Sequence, residues 1–195
     1  MIWAVVLAAG ESRRMRTQKL LLPYGGTTII EAVVRAALDS KADEALVVLG
    51  ADRGKIKEAL RSYPVTFAVN RDYRSGMLSS IQAGFDALPA EAEAAVVLLG
   101  DQPDIPSAVI DDLVCNYREN DRGIIIPVYQ GRRGHPLLVR TGYRQEILGL
   151  DPAVGLRQLV HAHPEDVLEV EVASPAVLKD MDTPGEYKKL ASKRH

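Results

Sequence analysis

Ile2-Trp3-Ala4-Val5-Val6-Leu7 sets six apolar residues in succession before the chain turns polar. An apolar run without alternation suits a short strand covered on both faces. Similar runs recur at 45–49, 65–69 and 94–99. Between them the apolar spacing lengthens to that of helices. Thr28 and Glu31 have the spacing of a capping box, in which each end satisfies an orphan amide. Behind them Ile30, Val33, Val34, Ala37 and Leu38 share one helical face. A shorter helix is predicted over 54–61. Another starts near Ser79 or Ser80 and carries Ile81, Phe85 and Leu88 inward. A further helix over 107–118 buries Ile110, Leu113, Val114 and Tyr117. Alternating strands and helices predict an α/β class of fold: a three-layer sandwich with a mostly parallel sheet and helices on both faces.

The rhythm changes after residue 120. Ile124-Ile125-Ile126-Pro127-Val128-Tyr129 is a strand interrupted by proline, which predicts an edge or bent strand. Residues 137–139 are expected beside it. Leu168-Glu169-Val170-Glu171-Val172 alternates apolar and acidic, as a strand with one wet face does. Thr183-Pro184-Gly185-Glu186 has the cap, early proline and glutamate of a helix start. The second half therefore adds a small, partly antiparallel β extension. We expect a single domain over 1–195, with a first half over about 1–105 and a second over about 106–195.

Composition narrows the class without naming a chemistry. The 195 residues are 47% hydrophobic and 26% charged, ordinary for a soluble globular chain. The formal net charge of −2 argues against general nucleic-acid binding. No apolar run has the length of a membrane span. The start of the chain lacks a signal-peptide pattern, and Cys115 is a single cysteine, so a reducing, cytoplasmic location is expected.

Parallel sheets bind ligands at the carboxyl ends of their strands, and four polar loops fall at such positions. The first follows the opening strand and collects Arg13, Arg14, Arg16 and Lys19 in seven positions without an acid. Its glycine admits close backbone approach, and its amides and cations can cradle phosphates. The spacing is neither G-x-G-x-x-G nor a Walker loop. The second is Gly100-Asp101-Gln102-Pro103-Asp104. A carboxylate directly after a buried strand requires a partner, and Mg²⁺ commonly takes one or two carboxylates together with phosphate oxygens. Asp104 is the better candidate for capping the helix beyond. The third, Asp180-Met181-Asp182, offers two more carboxylates; the fourth runs from Asn70 to the serines Ser79 and Ser80.

These stretches together resemble the nucleotidyltransferases of the molybdopterin group, most closely those that transfer a cytidylyl group to the molybdenum cofactor. The matching segments are LAAGESRRM at 7–15, KLLLPYGG at 19–26, NRDYRSGMLSSIQAG at 70–84, LLGDQPDI at 98–105, GRRGHPLL at 131–138 and DMDTP at 180–184. They occur in the family's order and span nearly the whole chain. The resemblance implies a Rossmann-like sheet with one reversed strand. It implies transfer of a nucleotide from a triphosphate, CTP favoured, to the phosphate of molybdopterin, with release of pyrophosphate.

The same resemblance implies roles. Leu7, Ala8, Ala9, Gly10 and Ser12 contact the nucleotide, with Ser79 and Ser80 helping. Arg13, Lys19 and Asp101 are catalytic, and Asp101 and Asp182 share Mg²⁺. Arg132, Arg133 and His135 meet the acceptor. Arg16 stands where the family usually has glycine, so Arg14 and Arg16 are weaker assignments than Arg13 and Lys19. Ala8-Ala9-Gly10 favours CTP, since guanylyl-transferring relatives usually carry two glycines there. The alternatives are transfer from GTP or to another phosphorylated acceptor such as a sugar phosphate, and a non-enzymatic carrier that delivers the cofactor to a recipient molybdoenzyme.

Overall fold

The computed structural model describes residues 1–11, 18–151, 154–179 and 187. The elements run β1 (Ile2–Ala8), β2 (Pro23–Tyr24), β3 (Thr27–Thr28), α1 (Ile29–Leu38), β4 (Glu44–Leu49), α2 (Arg53–Ala59), β5 (Thr66–Val69) and α3 (Met77–Ala87). They continue with β6 (Ala94–Leu99), α4 (Ser107–Glu119), β7 (Ile124–Tyr129), β8 (Arg132–Arg133), β9 (Leu137–Arg140), α5 (Arg144–Gly149), α6 (Arg157–Ala162) and β10 (Val167–Glu171). The helix expected from Thr183 lies outside the described residues.

An eight-stranded sheet has the order β10-β7-β9-β6-β1-β4-β5, with β8 added against β7. Strands β6, β1, β4 and β5 are parallel, and β9 is reversed against both β6 and β7. The α/β sandwich, mostly parallel with a reversed strand and a small β extension, is therefore as the sequence implies. Alternate residues of β1 serve opposite layers, because successive side chains in a strand point to opposite faces. Ile2, Ala4, Val6 and Ala8 pack with α1 and α4; Trp3 and Val5 pack with α3, α5 and α6. Both faces being covered explains why the run shows no polar alternation.

Three local expectations change. The helix expected from Ser79 or Ser80 begins at Met77, after Gly76. Helices α5 and α6 have no counterpart in the sequence reading; each is six residues, too short for a helical period to register. Pro127 does not mark an edge. β7 lies between β10 and β9, and Pro127 falls between two short ladders on one side: Ile124 and Ile125 pair with β9, Val128 and Tyr129 with β8. The missing proline N–H thus falls where neither ladder runs. By contrast β10 is an edge strand with Glu169 and Glu171 exposed, as its alternation predicts. Asp166 sets its register: it accepts from the Gly123 amide at 2.8 Å and from the Tyr143 hydroxyl at 2.6 Å. Burial and that bond push the Tyr143 hydroxyl up to about 12.

The capping box forms as its spacing requires. The Thr28 amide donates to Glu31 Oε2 at 2.8 Å, and the Glu31 amide donates to Thr28 Oγ1 at 3.4 Å. Burial tends to raise the Glu31 carboxyl, but the bonds from Thr28 and Tyr63 outweigh it and hold it below its usual 4.5. A depressed carboxylate adds stability that is present above its unfolded value and lost as pH falls through the folded one. Thr28→Ala is expected to cost about 0.5–2 kcal/mol at neutral pH. It should also flatten the acid limb of the stability curve below pH 4.5. Urea unfolding of both proteins across pH 3–7 measures this, and parallel acid limbs would refute it.

Candidate active site at the carboxyl edge of the sheet

The chain leaves β1 on one side, through β4 to β5, and returns on the other side at β6. The crevice between β1 and β6 is thus a topological switch point, where open α/β sheets bind ligands. The register Leu7↔Leu99, Ala8↔Leu49 and Leu49↔Val69 ends these strands level with one another. The loops after them therefore meet at a single edge.

Ala8 and Ala9 are buried, Leu7 is half-buried and Gly10 is exposed, with open space where a side chain would project. The turn is held from both sides: the Gly100 amide donates to the Leu7 carbonyl at 3.0 Å, and the Ala51 amide to the Ala9 carbonyl at 3.2 Å. Glu11 pairs with Arg74 of the neighbouring loop at 3.2 Å. Where the chain resumes, the Gln18 amide reaches Asp52 at 3.3 Å. Ser12 and Arg13, like Arg14 and Arg16, lie outside the described residues, as does Asp182.

Lys19 and Asp101 are brought together across 82 residues: Nζ lies 2.5 Å from Oδ2, with the side chains 14% and 20% exposed. A second contact ties the same loops, from the buried Tyr24 hydroxyl to Asp104. Asp104 is therefore not the expected helix cap. The residue before α4 is Pro106, with no side-chain cap bond. Tyr24 and Asp104 seat the 19–26 segment on the Asp101 loop, so that a cation and a carboxylate face the crevice as a pair. Gln102 adds a brace absent from the sequence reading. Its amide donates to the Lys179 carbonyl at 2.9 Å and so ties Lys179 to the Asp101 loop.

Ser79 and Ser80 are buried near the start of α3, and the Asn70 amide donates to their hydroxyls at 2.8 and 3.0 Å. The Ser79 hydroxyl is within reach of the Asp72 and Gly76 carbonyls at 3.0 and 2.8 Å. Both serines thus shape the 70–76 loop from within.

On the other side of Asp101 a cleft of about 610 Å³ opens over the β6–β9–β7 part of the sheet. Its floor is aliphatic, including Leu78, Ile81, Val97, Ile126 and Leu137; its polar groups are Asp101, Arg133, His135, Arg157 and His161. His135 is held in place through its amide, which donates to the Val177 carbonyl at 2.9 Å. Arg133 pairs with Glu169 at 2.6 Å. Arg132 is not part of the cleft lining: neighbouring strand residues point to opposite faces, and Arg133 is the one turned inward. Arg157 and His161 escaped the sequence reading because α6 lies in none of the matching segments.

A divalent cation would find oxygen donors here. The Asp101 carboxylate stands at the point shared by the β1 loop and the cleft, and Mg²⁺ and Mn²⁺ favour such hard ligands. Among the described residues no cluster of three or more histidine, cysteine or acidic side chains forms a protein-only metal cage. A cation at Asp101 would therefore draw ligands from outside the described residues or from a bound phosphate.

A switch-point crevice beside an aliphatic cleft, joined by one carboxylate, suits an α/β protein that transfers a nucleotidyl group. The chain belongs to the family of the MobA-like NTP transferase domain, whose family model matches residues 4–167. It is 30% identical over 191 residues to nicotine blue oxidoreductase of Paenarthrobacter nicotinovorans, covering 93% of this chain and 92% of that one. It is 27% identical over 184 residues to molybdenum cofactor cytidylyltransferase of Escherichia coli K12, covering 94% and 92%. Among solved structures, Rv0371c of Mycobacterium tuberculosis H37Rv superposes with a TM-score of 0.87 at 29% identity over 98% of this chain and 97% of that one. The same mycobacterial protein is also known in complex with manganese, at a TM-score of 0.83, 28% identity and 98% coverage of both chains. No helix among the described residues is long and apolar enough to cross a membrane.

Proposed function

We propose that this nucleotidyltransferase moves CMP from CTP to the phosphate of molybdopterin and releases pyrophosphate. The observation that carries the reading is the Lys19–Asp101 pair at the point where the switch-point crevice meets the aliphatic cleft. The E. coli relative that shares most of the chain's length supports the choice of base and acceptor.

The chemistry suits the residues. The acceptor phosphate has a second pKa near ~6, so it is already largely ionised at neutral pH and needs no strong base. What the reaction requires is positioning and neutralisation of charge. The Leu7-Ala8-Ala9-Gly10 backbone receives the nucleotide, with Ser12 beside it. Ser79 and Ser80 act through the 70–76 loop they hold. Lys19 leaves its carboxylate for the triphosphate, joined by Arg13, and steadies the departing pyrophosphate. Asp101 and Asp182 hold Mg²⁺; Gln102 supports that pairing by fastening Lys179, three residues before Asp182, to the Asp101 loop. The bound cation would supply neutralisation at the α-phosphate. Arg133 and His135 face the acceptor from the cleft wall, with Arg132 at its outer margin.

The test is pyrophosphate release from each of the four nucleoside triphosphates, with molybdopterin and with sugar phosphates, plus or minus Mg²⁺. Release with CTP, molybdopterin and Mg²⁺ together is the expected result. Release with sugar phosphates but not molybdopterin overturns the acceptor. A second reading, reduction of a small molecule in the cleft, is favoured by the 30% identity to nicotine blue oxidoreductase. Oxidation of a reduced nicotinamide nucleotide without pyrophosphate release would establish it instead.

A further inference from the structure

The cleft beside Asp101 carries more positive charge than its sequence motifs account for, and only part of that charge is available to a ligand. Arg133 is held by Glu169 at 2.6 Å on the outer edge of the sheet. Arg157 is exposed and has no ion-pair or hydrogen-bond partner among the described residues. His161 stands four residues further along α6, and both line the cleft. Residues four apart in a helix lie one above the other on the same face, so guanidinium and imidazole form a single recognition edge. Asp101 lines the same cleft, and its carboxylate repels an anion unless a cation sits on it.

We propose that Arg157 and His161 bind the anionic part of the acceptor, and that the cleft selects a flat heteroaromatic phosphate over a sugar phosphate. The proposal rests on the nucleotidyl-transfer reading above and names residues and an acceptor class for it. Arg157, unpaired among the described residues, has a planar fork that matches a phosphate bidentately. Leu78, Ile81, Val97, Ile126, Leu137 and Val160 contribute aliphatic carbon to the rest of the lining. No described lining residue is a serine, threonine, tyrosine, asparagine or glutamine. A sugar ring would set its hydroxyls against carbon, and each polar group left without a partner weakens binding roughly 5- to 150-fold. A flat ring loses nothing there, and its edge atoms can reach the imidazoles of His135 and His161. A cleft of about 610 Å³ also lies within the range of small-molecule sites.

Two measurements test this. In steady-state assays Arg157→Gln should raise the KM for molybdopterin about 10- to 100-fold, the scale of a charge-assisted hydrogen bond, and leave the KM for CTP unchanged. Arg157→Lys should recover part of the loss, keeping the charge without the fork. An unchanged molybdopterin KM in an active Arg157→Gln enzyme overturns the assignment. The second measurement needs no turnover: equilibrium binding of flavin mononucleotide and riboflavin, followed by flavin fluorescence. These share a flat ring system and differ by one phosphate. The expected result is tighter binding of flavin mononucleotide by about tenfold or more, abolished in Arg157→Gln, with no displacement by N-acetylglucosamine 1-phosphate. Equal affinity for both flavins, or displacement by the sugar phosphate, overturns the proposal. If the phosphate preference holds while no pyrophosphate is released from any nucleotide, the transfer reading fails and the Arg157 assignment stands.

Discussion

Asp101→Asn is expected to slow pyrophosphate release by about 10²- to 10³-fold, the usual cost of removing a preorganised electrostatic group from an active site, while the fold stays intact. The carboxylate stands just beyond a strand buried along its whole length and meets Lys19 at 2.5 Å. Asparagine has the same shape, and its amide oxygen still accepts from the lysine, so the loop keeps its form. What is lost is one negative charge at the junction of nucleotide crevice and acceptor cleft. A cation held there binds more weakly, and Lys19 is no longer balanced between carboxylate and phosphate. Activity assayed over a range of Mg²⁺ concentrations, beside far-UV circular dichroism, separates the effects. A wild-type rate in the variant removes Asp101 from the mechanism.

Gly100→Ala should damage the same site through the backbone. A Cβ at this position would lie 2.6 Å from the Leu7 carbonyl oxygen and 3.4 Å from Ile30 Cδ1. The first neighbour is backbone in the central strand, and the Gly100 amide already donates to it at 3.0 Å. The Leu7 carbonyl cannot swing aside as the end of a side chain could, so the loop must shift. Overpacking of this kind typically costs about 1–3 kcal/mol. A misplacement of reacting groups by about 1 Å can cost on the order of 10² in rate. The variant is therefore expected to unfold at lower urea and to turn over more slowly than its stability loss alone explains. An alanine variant with wild-type melting and rate would show that β1 and β6 part more easily here than their ladder suggests.

The two variants isolate different causes. Asp101→Asn removes charge and keeps position; Gly100→Ala keeps charge and moves it. Gly100 permits a close approach between neighbouring strand ends. That approach depends on β6 lying beside β1, with four other strands between them in the chain, and no local pattern encodes that.

The uneven legibility of the site has the same origin. Buried strands, the Thr28–Glu31 cap and the loops carrying Gly10, Asn70 and Asp101 follow from periodicity and turn chemistry within a dozen residues, and these the sequence determined by itself. Reading the family from its ordered motifs likewise needed only the chain. Other features were decided by tertiary structure alone. Pro127 reads as the mark of an edge or bent strand, yet it sits inside the sheet because β9 and β8 divide one side of β7 between them. Asp104 reads as a helix cap, yet it receives the Tyr24 hydroxyl from a loop 80 residues away. Ser79 and Ser80 read as ligand contacts, yet Asn70 engages them inside the protein. Arg157 and His161 read as nothing in particular, on a six-residue helix, until the fold sets α6 in the wall of the cleft. The physical reason is common to all of these. A side chain's type and its local conformation are set by its neighbours in sequence, but its partner is set by strand order and register, which arise only when distant segments bury their apolar faces together.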